Sequence, residues 1–406
     1  MELRCQIQSY AWGKCGSDSI VASLMKPSNP NITIDEKTPY AELWMGTHSN
    51  GPSLLKDENK SLDDYIKENK HTLGSLVLDK FGSQLPFLFK ILSVNKALSI
   101  QVHPNKSEAE ELHKSQPSVY KDSNHKPELA IALTPFEALC GFRPVSEIKN
   151  YLKLIPELSV IIGEDVVLEL FTTVSEGPLN LSLKKCFQKL MTCDENVVAQ
   201  QLKKFIERVS SMGPVIRQLL NLNLLERLYS DYPGDVGCFG IYFFNYLTLQ
   251  PGEAMYLGAN EPHAYLSGDC IECMACSDNV VRAGLTPKLK DTNTLINLLS
   301  YKCEPSSAKR FQPSREDDCT EVFRPPVPDF AVSRITIPPG RASYTLIERS
   351  VGSILIIVNG KAEITFSTTK VLNRGSVIFI PANERVYMKV LCGCHPMLMF
   401  QAFANV

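Results

Sequence analysis

The stretch PGEAMYLGANEPHAYL at residues 251–266 resembles RGSVIFIPANERVYMK at residues 374–389, at a constant offset of 123 residues. Each copy contains a turn glycine, an apolar run typical of a strand, and a second turn. Four positions are identical in the two copies: Gly252 and Gly375, Ala259 and Ala382, Asn260 and Asn383, Glu261 and Glu384. A repeated supersecondary unit indicates a repeated domain, so we expect two β-barrels of one type.

The two copies differ at one position that can carry chemistry. His263 of the first copy aligns with Val386 of the second. An imidazole can bind a transition metal, whereas an aliphatic side chain cannot. We therefore expect one metal site per chain, in the first barrel.

Outside the repeat, the hydrophobic pattern divides the chain into β and helical segments. Residues up to about 145 contain strand-like runs, with one helix predicted at 61–69 behind Ser61 as N-cap. A helical pattern then begins with Ser146 as the candidate N-cap, and strand character returns from Gly237. The predicted fold is mainly β with a helical insertion, and its domains are a first barrel (1–145 and 232–305), a small helical domain (146–231) and a second barrel (306–406).

Composition limits the class of protein. Hydrophobic residues make up 44% and charged residues 21%, with a net charge of −2, as is typical of a soluble globular chain. A balance this close to neutral argues against a nucleic-acid partner. The most apolar run, CFGIYFFNYL at 238–247, is about half the length that spans a bilayer, so we expect no membrane insertion. The 13 scattered cysteines indicate reduced thiols, and we expect a cytoplasmic, monomeric protein.

The segment SIQVHPNK at 99–106 contains half of a candidate metal site. Gln101 and His103 are two residues apart, so on a strand they lie on the same face. Pro104 ends the strand directly after the histidine. These residues alone also fit a partly buried histidine with hydrogen-bonded neighbours, and they do not decide between the two interpretations.

Two further segments supply the remaining candidate ligands. Glu128 precedes the apolar run LAIAL, where a buried carboxylate would need a partner, although it could equally be a surface residue beside Lys126. His263 lies where a turn passes into a strand. With Gln101 and His103 these residues offer two imidazoles, a carboxylate and an amide oxygen, a set that suits zinc. Two histidines and a carboxylate can also hold Fe(II), which the glutamine disfavours without excluding it.

The segment CIECMAC places Cys270, Cys273 and Cys276 three residues apart. On a helix their sulfur atoms could converge on a metal. On a strand, residues three apart face opposite sides, and the flanking turn signals favour a strand. We therefore interpret the three cysteines as buried and inert.

Charged residues follow in SDNVVRAGLTPK at 277–288. Asp278, Arg282 and Lys288 surround a glycine-containing turn. A charged loop is commonly just solvated. Two cations this close after His263 would nevertheless suit an anionic substrate.

Long segments of the chain closely resemble type I phosphomannose isomerases over nearly the whole length, and they occur in the family's order. These segments are YAWG (10–13), YAELWMGTH (40–48), LPFLFK (85–90), LSIQVHPNK (98–106), NHKPELAIALT (124–134), GFRP (141–144), YPGD (232–235), PGEAMYLGANEPHAYL (251–266) and ECMACSDNVVRAGLTPK (272–288). The last hundred residues resemble the family least distinctively. The resemblance implies a cupin (jelly-roll) catalytic barrel, a helical domain and a second cupin barrel without metal.

The resemblance also implies a site and an activity. It implies one Zn²⁺ held by Gln101, His103, Glu128 and His263. It implies a catalytic role for Arg282, and Ser99, Lys126 and Lys288 match polar residues placed near the sugar phosphate. The activity implied is isomerisation of mannose 6-phosphate to fructose 6-phosphate, which supplies mannose 6-phosphate for GDP-mannose synthesis and glycosylation.

Moving a carbonyl between C1 and C2 through an enediol requires a base and a stabiliser of oxyanion charge. Arg282 is our candidate stabiliser, and Lys126 can act as base only if burial and the metal favour its neutral amine. His125 and Asp278 are candidates for ring opening or proton transfer, and Ser99 and Lys288 for gripping the phosphate. Two other classes stay open at this point, an Fe(II) cupin oxygenase and a catalytically inactive cupin that binds sugar phosphate.

Overall fold

The computed structural model describes residues 1–28, 32–365, 368–391 and 393–406. Strands and helices alternate in its first third. The strands are β1 (Glu2–Arg4), β2 (Gln6–Gln8), β3 (Glu42–Met45), β4 (Leu54–Leu55), β5 (Phe87–Val94), β6 (Ile100–Val102), β7 (Glu128–Ala132) and β8 (Phe136–Phe142). The α-helices are α1 (Ile20–Ser28), α2 (Leu62–Glu68), α3 (Ser75–Phe81) and α4 (Lys106–Ser115). The predicted N-cap Ser61 is confirmed, because its hydroxyl accepts a hydrogen bond from the backbone N–H of Asp64.

The middle of the chain is helical, as the apolar spacing predicts. Its helices are α5 (Val145–Leu154), α6 (Pro156–Ile162), α7 (Glu164–Thr172), α8 (Glu176–Met191), α9 (Glu195–Val209), α10 (Pro214–Leu219) and α11 (Leu222–Asp231). The prediction of Ser146 as N-cap is wrong: α5 begins one residue earlier, with Pro144 in the cap position. None of the described helices combines the length and the apolarity needed to cross a bilayer.

Strand structure resumes later than the sequence predicts. A 3-10 helix (Val236–Tyr242) replaces the strand expected from Gly237, because the Asp235 carboxylate caps it by accepting the Gly237 N–H. The elements that follow are β9 (Phe244–Leu249), β10 (Ala254–Leu257), β11 (His263–Ala275), β12 (Val281–Gly284), α12 (Thr292–Leu298) and β13 (Arg310–Phe311).

The rest of the described chain is β. Its strands are β14 (Ser314–Arg315), β15 (Thr320–Phe323), β16 (Ala331–Ile337), β17 (Ser343–Thr345), β18 (Ser353–Asn359), β19 (Ala362–Thr365), β20 (Thr369–Leu372), β21 (Val377–Ile380), β22 (Tyr387–Val390) and β23 (Met397–Phe403). The repeat is confirmed in the backbone. Gly252 and Gly375 have φ of 90° and 85°, and Asn260 and Asn383 have φ of 63° and 60°. The same turn chemistry therefore precedes and follows β10 and β21.

The first barrel consists of two facing layers that share strand β11. Its first residues pair with β6 and β8, and its later residues pair with β5 and β7. The strand passes from one layer to the other at Gly268, where φ is 105° and a Cβ would meet the carbonyl oxygen of Pro135. Glycine is required at this corner because an L side chain would be both strained and blocked.

Each layer of this barrel is buried on both faces. On β5, Phe87, Phe89 and Ile91 pack in a core shared with the second barrel, whereas Leu92 and Val94 pack inside the first barrel. On the other layer, Ile100 and Val102 of β6 pack against the helical domain. Because side chains alternate along a strand, the intervening residues point into the barrel. This alternation places polar side chains in the interior.

The predicted domain bounds cut through paired strands. β1 lies in the second barrel's sheet, beside β21, and β13 pairs with β10 of the first barrel. The exact bounds of the three domains therefore stay a prediction, while two jelly-roll barrels and a helical insertion describe the architecture.

Candidate metal centre

Three neighbouring strands place Arg282, Gln101 and His263 in one row. β6 lies between β12 and β11, and Gln101 is in register with Arg282 on one side and His263 on the other. Directly opposed residues of an antiparallel pair share a face. The adjacent residues on these strands pack against the helical domain, so the row faces the barrel interior.

His103 and Glu128 approach this row from two directions. His103 directly follows β6, and Glu128 is the first residue of β7 in the opposite layer. The candidate ligand atoms of His103, Glu128 and His263 all lie within 4.8 Å of one another, and all three residues are buried. No other cluster of this kind occurs in the part of the chain that the structure describes. Three of the four predicted ligands thus converge at one point.

Backbone carbonyls fix the proton of each imidazole on Nδ1. Nδ1 of His103 donates to the carbonyl of Asn279 at 2.7 Å, and Nδ1 of His263 donates to the carbonyl of Glu261 at 3.0 Å. Carbonyl oxygens only accept, so Nε2 of each neutral ring carries a lone pair. Both Nε2 atoms face Glu128, at 3.3 Å from Oε1 and 3.4 Å from Oε2.

In this arrangement the Nε2 lone pairs of the two histidines face the lone pairs of the Glu128 oxygens. Nε2 of His103 and Oε2 of Glu128 are buried without a hydrogen-bond partner among the described residues. Such atoms carry an uncompensated desolvation cost, which a bound cation would remove. The residues therefore fit zinc, whose preferred ligands are imidazole nitrogen and carboxylate oxygen.

Gln101 reaches the same point. Its amide nitrogen lies 3.2 Å from Nε2 of His263, and its Oε1 accepts a hydrogen bond from the Ser99 hydroxyl at 3.1 Å. The two ends of an amide group are nearly isosteric, so a half-turn about the terminal bond would present oxygen to the cluster. The structure thus brings Gln101 and Ser99 beside the three converging ligands.

Charge states in the cluster suit a metal site. Burial lowers the pKa of His103 to about 4, although the Glu128 carboxylate opposes the effect. Burial alone would raise the pKa of Glu128, but His103 and Lys126 hold it well below its usual range. Lys126 lies inside the site, with Nζ 3.6 Å from Oε1 of Glu128. At neutral pH His103 is therefore a neutral imidazole and Glu128 an ionised carboxylate, the forms that bind metal.

Arg282 supplies positive charge beside the cluster, and Lys288 lies near enough to Arg282 to be affected by its charge. Burial lowers the pKa of Arg282, and within the described residues its guanidinium forms no ion pair or hydrogen bond. Burial and the charge of Arg282 lower the pKa of Lys288, whose ammonium lies 5.7 Å from the centre of the Tyr10 ring. A lysine whose pKa is lowered by a neighbouring arginine would gain from an anionic ligand between the two cations.

The structure gives Asp278 and His125 partners outside the three-residue cluster. Asp278 pairs with His48, whose Nε2 lies 3.3 Å from Oδ1, and this contact lowers the pKa of Asp278. Nε2 of His125 lies 3.1 Å from Oδ2 of Asp329, a buried carboxylate in the chain that leads into β16 of the second barrel. His125 therefore packs at the boundary between the barrels.

Sequence reasoning missed a second buried charge cluster in the same barrel. Nζ of Lys90 lies 2.9 Å from Oε2 of Glu272 and 3.6 Å from Oε2 of Glu42, across three adjacent strands. Burial favours the neutral amine, but the carboxylates outweigh it and raise the pKa of Lys90. Burial raises the pKa of Glu272. The signal was present in LPFLFK and CIECMAC, where one charged residue interrupts an apolar strand.

The cysteines of CIECMAC do not form a site. Cys270 points into the barrel and Cys273 into the core shared with the second barrel, as expected for residues three apart on a strand. Burial raises the pKa of both thiols well above the usual value, and that of Cys276 to about 12. Cys270 and Cys273 are buried as predicted, whereas Cys276 is only partly buried, and the inertness of the three thiols stays a prediction.

Comparison with known proteins agrees with this architecture. The family model for the catalytic domain of type I phosphomannose isomerase matches residues 1–145, and the model for its helical insertion domain matches residues 161–244. A mannose-6-phosphate isomerase from Bos taurus is 48% identical over 98% of this chain and 97% of its own, and one from Homo sapiens is 48% identical over 96% and 95%.

Solved structures match along the whole chain. A mannose 6-phosphate isomerase crystallised with zinc and yttrium is 31% identical, has a TM-score of 0.84, and covers 100% of this chain and 99% of its own. A mutant of phosphomannose isomerase from Salmonella typhimurium matches with the same identity and coverage and a TM-score of 0.83. Family models, relatives and solved structures therefore agree, and the chain belongs to the type I phosphomannose isomerase family.

Proposed function

We propose that this chain interconverts D-mannose 6-phosphate and D-fructose 6-phosphate with one zinc ion in the first barrel. The observation that carries the proposal is the cluster of His103, Glu128 and His263, whose unprotonated atoms converge beside an unpaired arginine of the described chain. The 48% identity to mammalian mannose-6-phosphate isomerases supports this substrate.

Gln101, His103, Glu128 and His263 would hold the ion. Bound zinc would supply Lewis acidity and a fixed point for substrate oxygens. The imidazoles need no rearrangement, since Asn279 and Glu261 already hold their Nδ1 protons. The buried walls of the barrel would exclude water from the substrate carbons.

Arg282 would stabilise negative charge that develops on the substrate oxygens. Isomerisation removes the proton on C2 of mannose 6-phosphate, forms an enediol and returns a proton to C1. The oxygens gain charge as the C–H bond breaks, and a guanidinium can stabilise that charge without losing its own proton. Arg282 is in register with Gln101, so it faces the same interior point.

Lys126 is the proposed base, because its Nζ is the nearest amine to the cluster, 3.6 Å from Glu128. Asp278 and His125 are proposed to assist ring opening, each from its pair with His48 or Asp329. Ser99 and Lys288 are proposed to grip the phosphate, which carries about −1.5 to −2 charges at neutral pH.

The proposal extends to the cellular role. Mannose 6-phosphate made by this reaction would supply GDP-mannose synthesis and glycosylation. The cysteines that the structure describes are unpaired, which supports a reducing compartment such as the cytoplasm. We propose that the chain works there as a monomer.

The test is turnover of mannose 6-phosphate in deuterium oxide, followed by NMR. We expect fructose 6-phosphate to appear with partial deuterium at C1, because a protein base exchanges part of its proton with solvent. Binding of mannose 6-phosphate without turnover would make the chain a binding protein. Turnover without any deuterium, retained in Lys126→Ala, would replace the enediol route with a direct hydride shift.

A further inference from the structure

The orientation of the His103 imidazole depends on a loop rather than on a strand. Its Nδ1 proton is held by the carbonyl of Asn279, at 2.7 Å, and Asn279 lies between β11 and β12. His103 itself follows the last residue of β6, so the ladder of that strand does not fix its ring. Whatever holds the Asn279 carbonyl in place therefore also sets the direction of the His103 Nε2 lone pair.

A carboxylate from a second loop holds this segment. Oδ2 of Asp122 accepts the backbone N–H of Asp278 at 2.7 Å, and its Oδ1 accepts the Ser277 hydroxyl at 2.9 Å. The side-chain amide of Asn279 donates to the backbone carbonyl of Asp122 at 2.7 Å. Three consecutive residues before β12 are thus tied to one residue before β7.

Asn124 closes the same connection. Its side-chain amide donates to the carbonyl of Cys276 at 3.0 Å, and its own carbonyl accepts from the Asn279 amide at 3.0 Å. Asp122 also accepts the Asn124 N–H at 2.9 Å. Ser277 and Asn279 are buried, so the Ser277 hydroxyl and the Asn279 side-chain amide would carry a desolvation cost if they lost their partners. The bond from the Asp278 N–H is exposed, and water could replace it.

We propose that Asp122 is a positioning residue for the metal site. It holds the loop 276–279 so that the Asn279 carbonyl fixes the tautomer and direction of His103. Groups that orient a metal-binding histidine affect metal affinity almost as strongly as the ligands do. The inference rests on the proposed zinc site, and it adds a residue three interactions removed from the ion. Asp122 binds the 276–279 loop, the Asn279 carbonyl binds His103, and His103 would bind the ion.

The test measures zinc affinity by competition with a chromophoric chelator, in the folded full chain. We expect Asp122→Ala to weaken zinc binding about 10–100-fold. Cobalt(II) substituted for zinc should show an altered visible absorption spectrum, because the spectrum reports the direction of the imidazole ligand. Asp317→Ala is the matched control, since Asp317 accepts the N–H groups of Cys319 and Thr320 at 2.7 Å in the second barrel. It should leave zinc affinity within about twofold.

Asp122→Asn keeps one acceptor oxygen, so its zinc affinity should lie between those of the wild type and of Asp122→Ala. This variant also provides the test if Asp122→Ala does not fold. Unchanged zinc affinity and cobalt spectrum in a folded Asp122 variant would overturn the inference. A wild type that binds zinc but does not isomerise mannose 6-phosphate would overturn the proposed function alone. The two failures are therefore distinguishable.

Discussion

At the scale of single residues, the informative feature is the unprotonated Nε2 atom of each histidine in the cluster. His103 and His263 each donate the Nδ1 proton to a backbone carbonyl, and Nε2 of each ring faces the Glu128 carboxylate. Burial lowers the pKa of His103 to about 4, so a proton on Nε2 does not resolve the contact at neutral pH. A structural histidine would point a donor at Glu128, and this difference supports the proposed metal site.

Loss of the Glu128 charge should therefore weaken metal binding. We expect Glu128→Gln to lower zinc affinity more than about tenfold, because even residues that only orient ligands cost about 10–100-fold. Zinc affinity is measured by chelator competition. Glu137→Gln is the control, since Glu137 is also a carboxylate of the first barrel but pairs with Arg227. Equal zinc affinity in the two variants would remove Glu128 from the ligand set.

Arg282 should act on turnover rather than on metal binding. We expect Arg282→Ala to lower kcat about 10²–10³-fold, which corresponds to about 3–4 kcal/mol of lost transition-state stabilisation. Zinc content and thermal stability should stay close to those of the wild type. The exposed Arg315→Ala serves as control. Near-normal kcat with a raised KM would instead assign Arg282 to substrate binding.

At the scale of elements, alternation along strands decides which side chains meet. β6, β7, β11 and β12 each present apolar residues outward and a polar residue inward. The spacing of Gln101 and His103 predicted a shared strand face, and both side chains reach the cluster although β6 ends at Val102. Lys90 and Glu272 were missed because β5 and β11 are buried on both faces, so their sequences read as continuous apolar runs rather than alternating ones.

Other features lay beyond sequence patterns for physical reasons. The segment expected to be a strand from Gly237 is a 3-10 helix, because the Asp235 side chain caps its start. Strand propensities do not include such a local side-chain hydrogen bond. The contact of His125 with Asp329 joins residues 204 positions apart. Only the packing of the two barrels determines it. The surroundings of His125 therefore depended on the fold, whereas the candidate metal ligands could be named from local motifs.

The buried Lys90 joins three strands of the first barrel, and its loss should be costly. We expect Lys90→Met to lower the free energy of unfolding by about 3–5 kcal/mol, because Glu272 and Glu42 would face one another without a cation. Lys370→Met is the matched control: its pair with Asp57 is exposed and should contribute less than about 1 kcal/mol. The measurement is denaturant unfolding of both variants. Equal destabilisation by Lys90→Met and Lys370→Met would mean that the buried contacts of Lys90 with Glu272 and Glu42 stabilise the fold no more than an exposed ion pair does.

At the scale of the whole molecule, the first barrel is enclosed on two sides. One layer packs on the second barrel through a common apolar core, and the other packs on the helical domain. The interior of the second barrel is itself apolar and includes Val386 at the position that corresponds to His263. Both copies of the repeat therefore have the same turns, while the converging polar side chains lie in the first barrel.

We therefore expect one tightly bound zinc ion per chain. Elemental analysis of purified, dialysed protein, combined with an accurate protein concentration, measures this ratio. His263→Ala should bring it close to zero, whereas Val386→Ala should leave it at one. Two tightly held equivalents would contradict the assignment of the second barrel as metal-free.

The most direct test of the central claim is an isomerase assay with mannose 6-phosphate before and after removal of metal. Formation of fructose 6-phosphate is followed through coupled enzymes that are insensitive to the chelator. Activity should disappear on chelation and return when one equivalent of zinc is added, in the wild type but not in His263→Ala. Full activity in protein shown by elemental analysis to be free of metal would contradict the account.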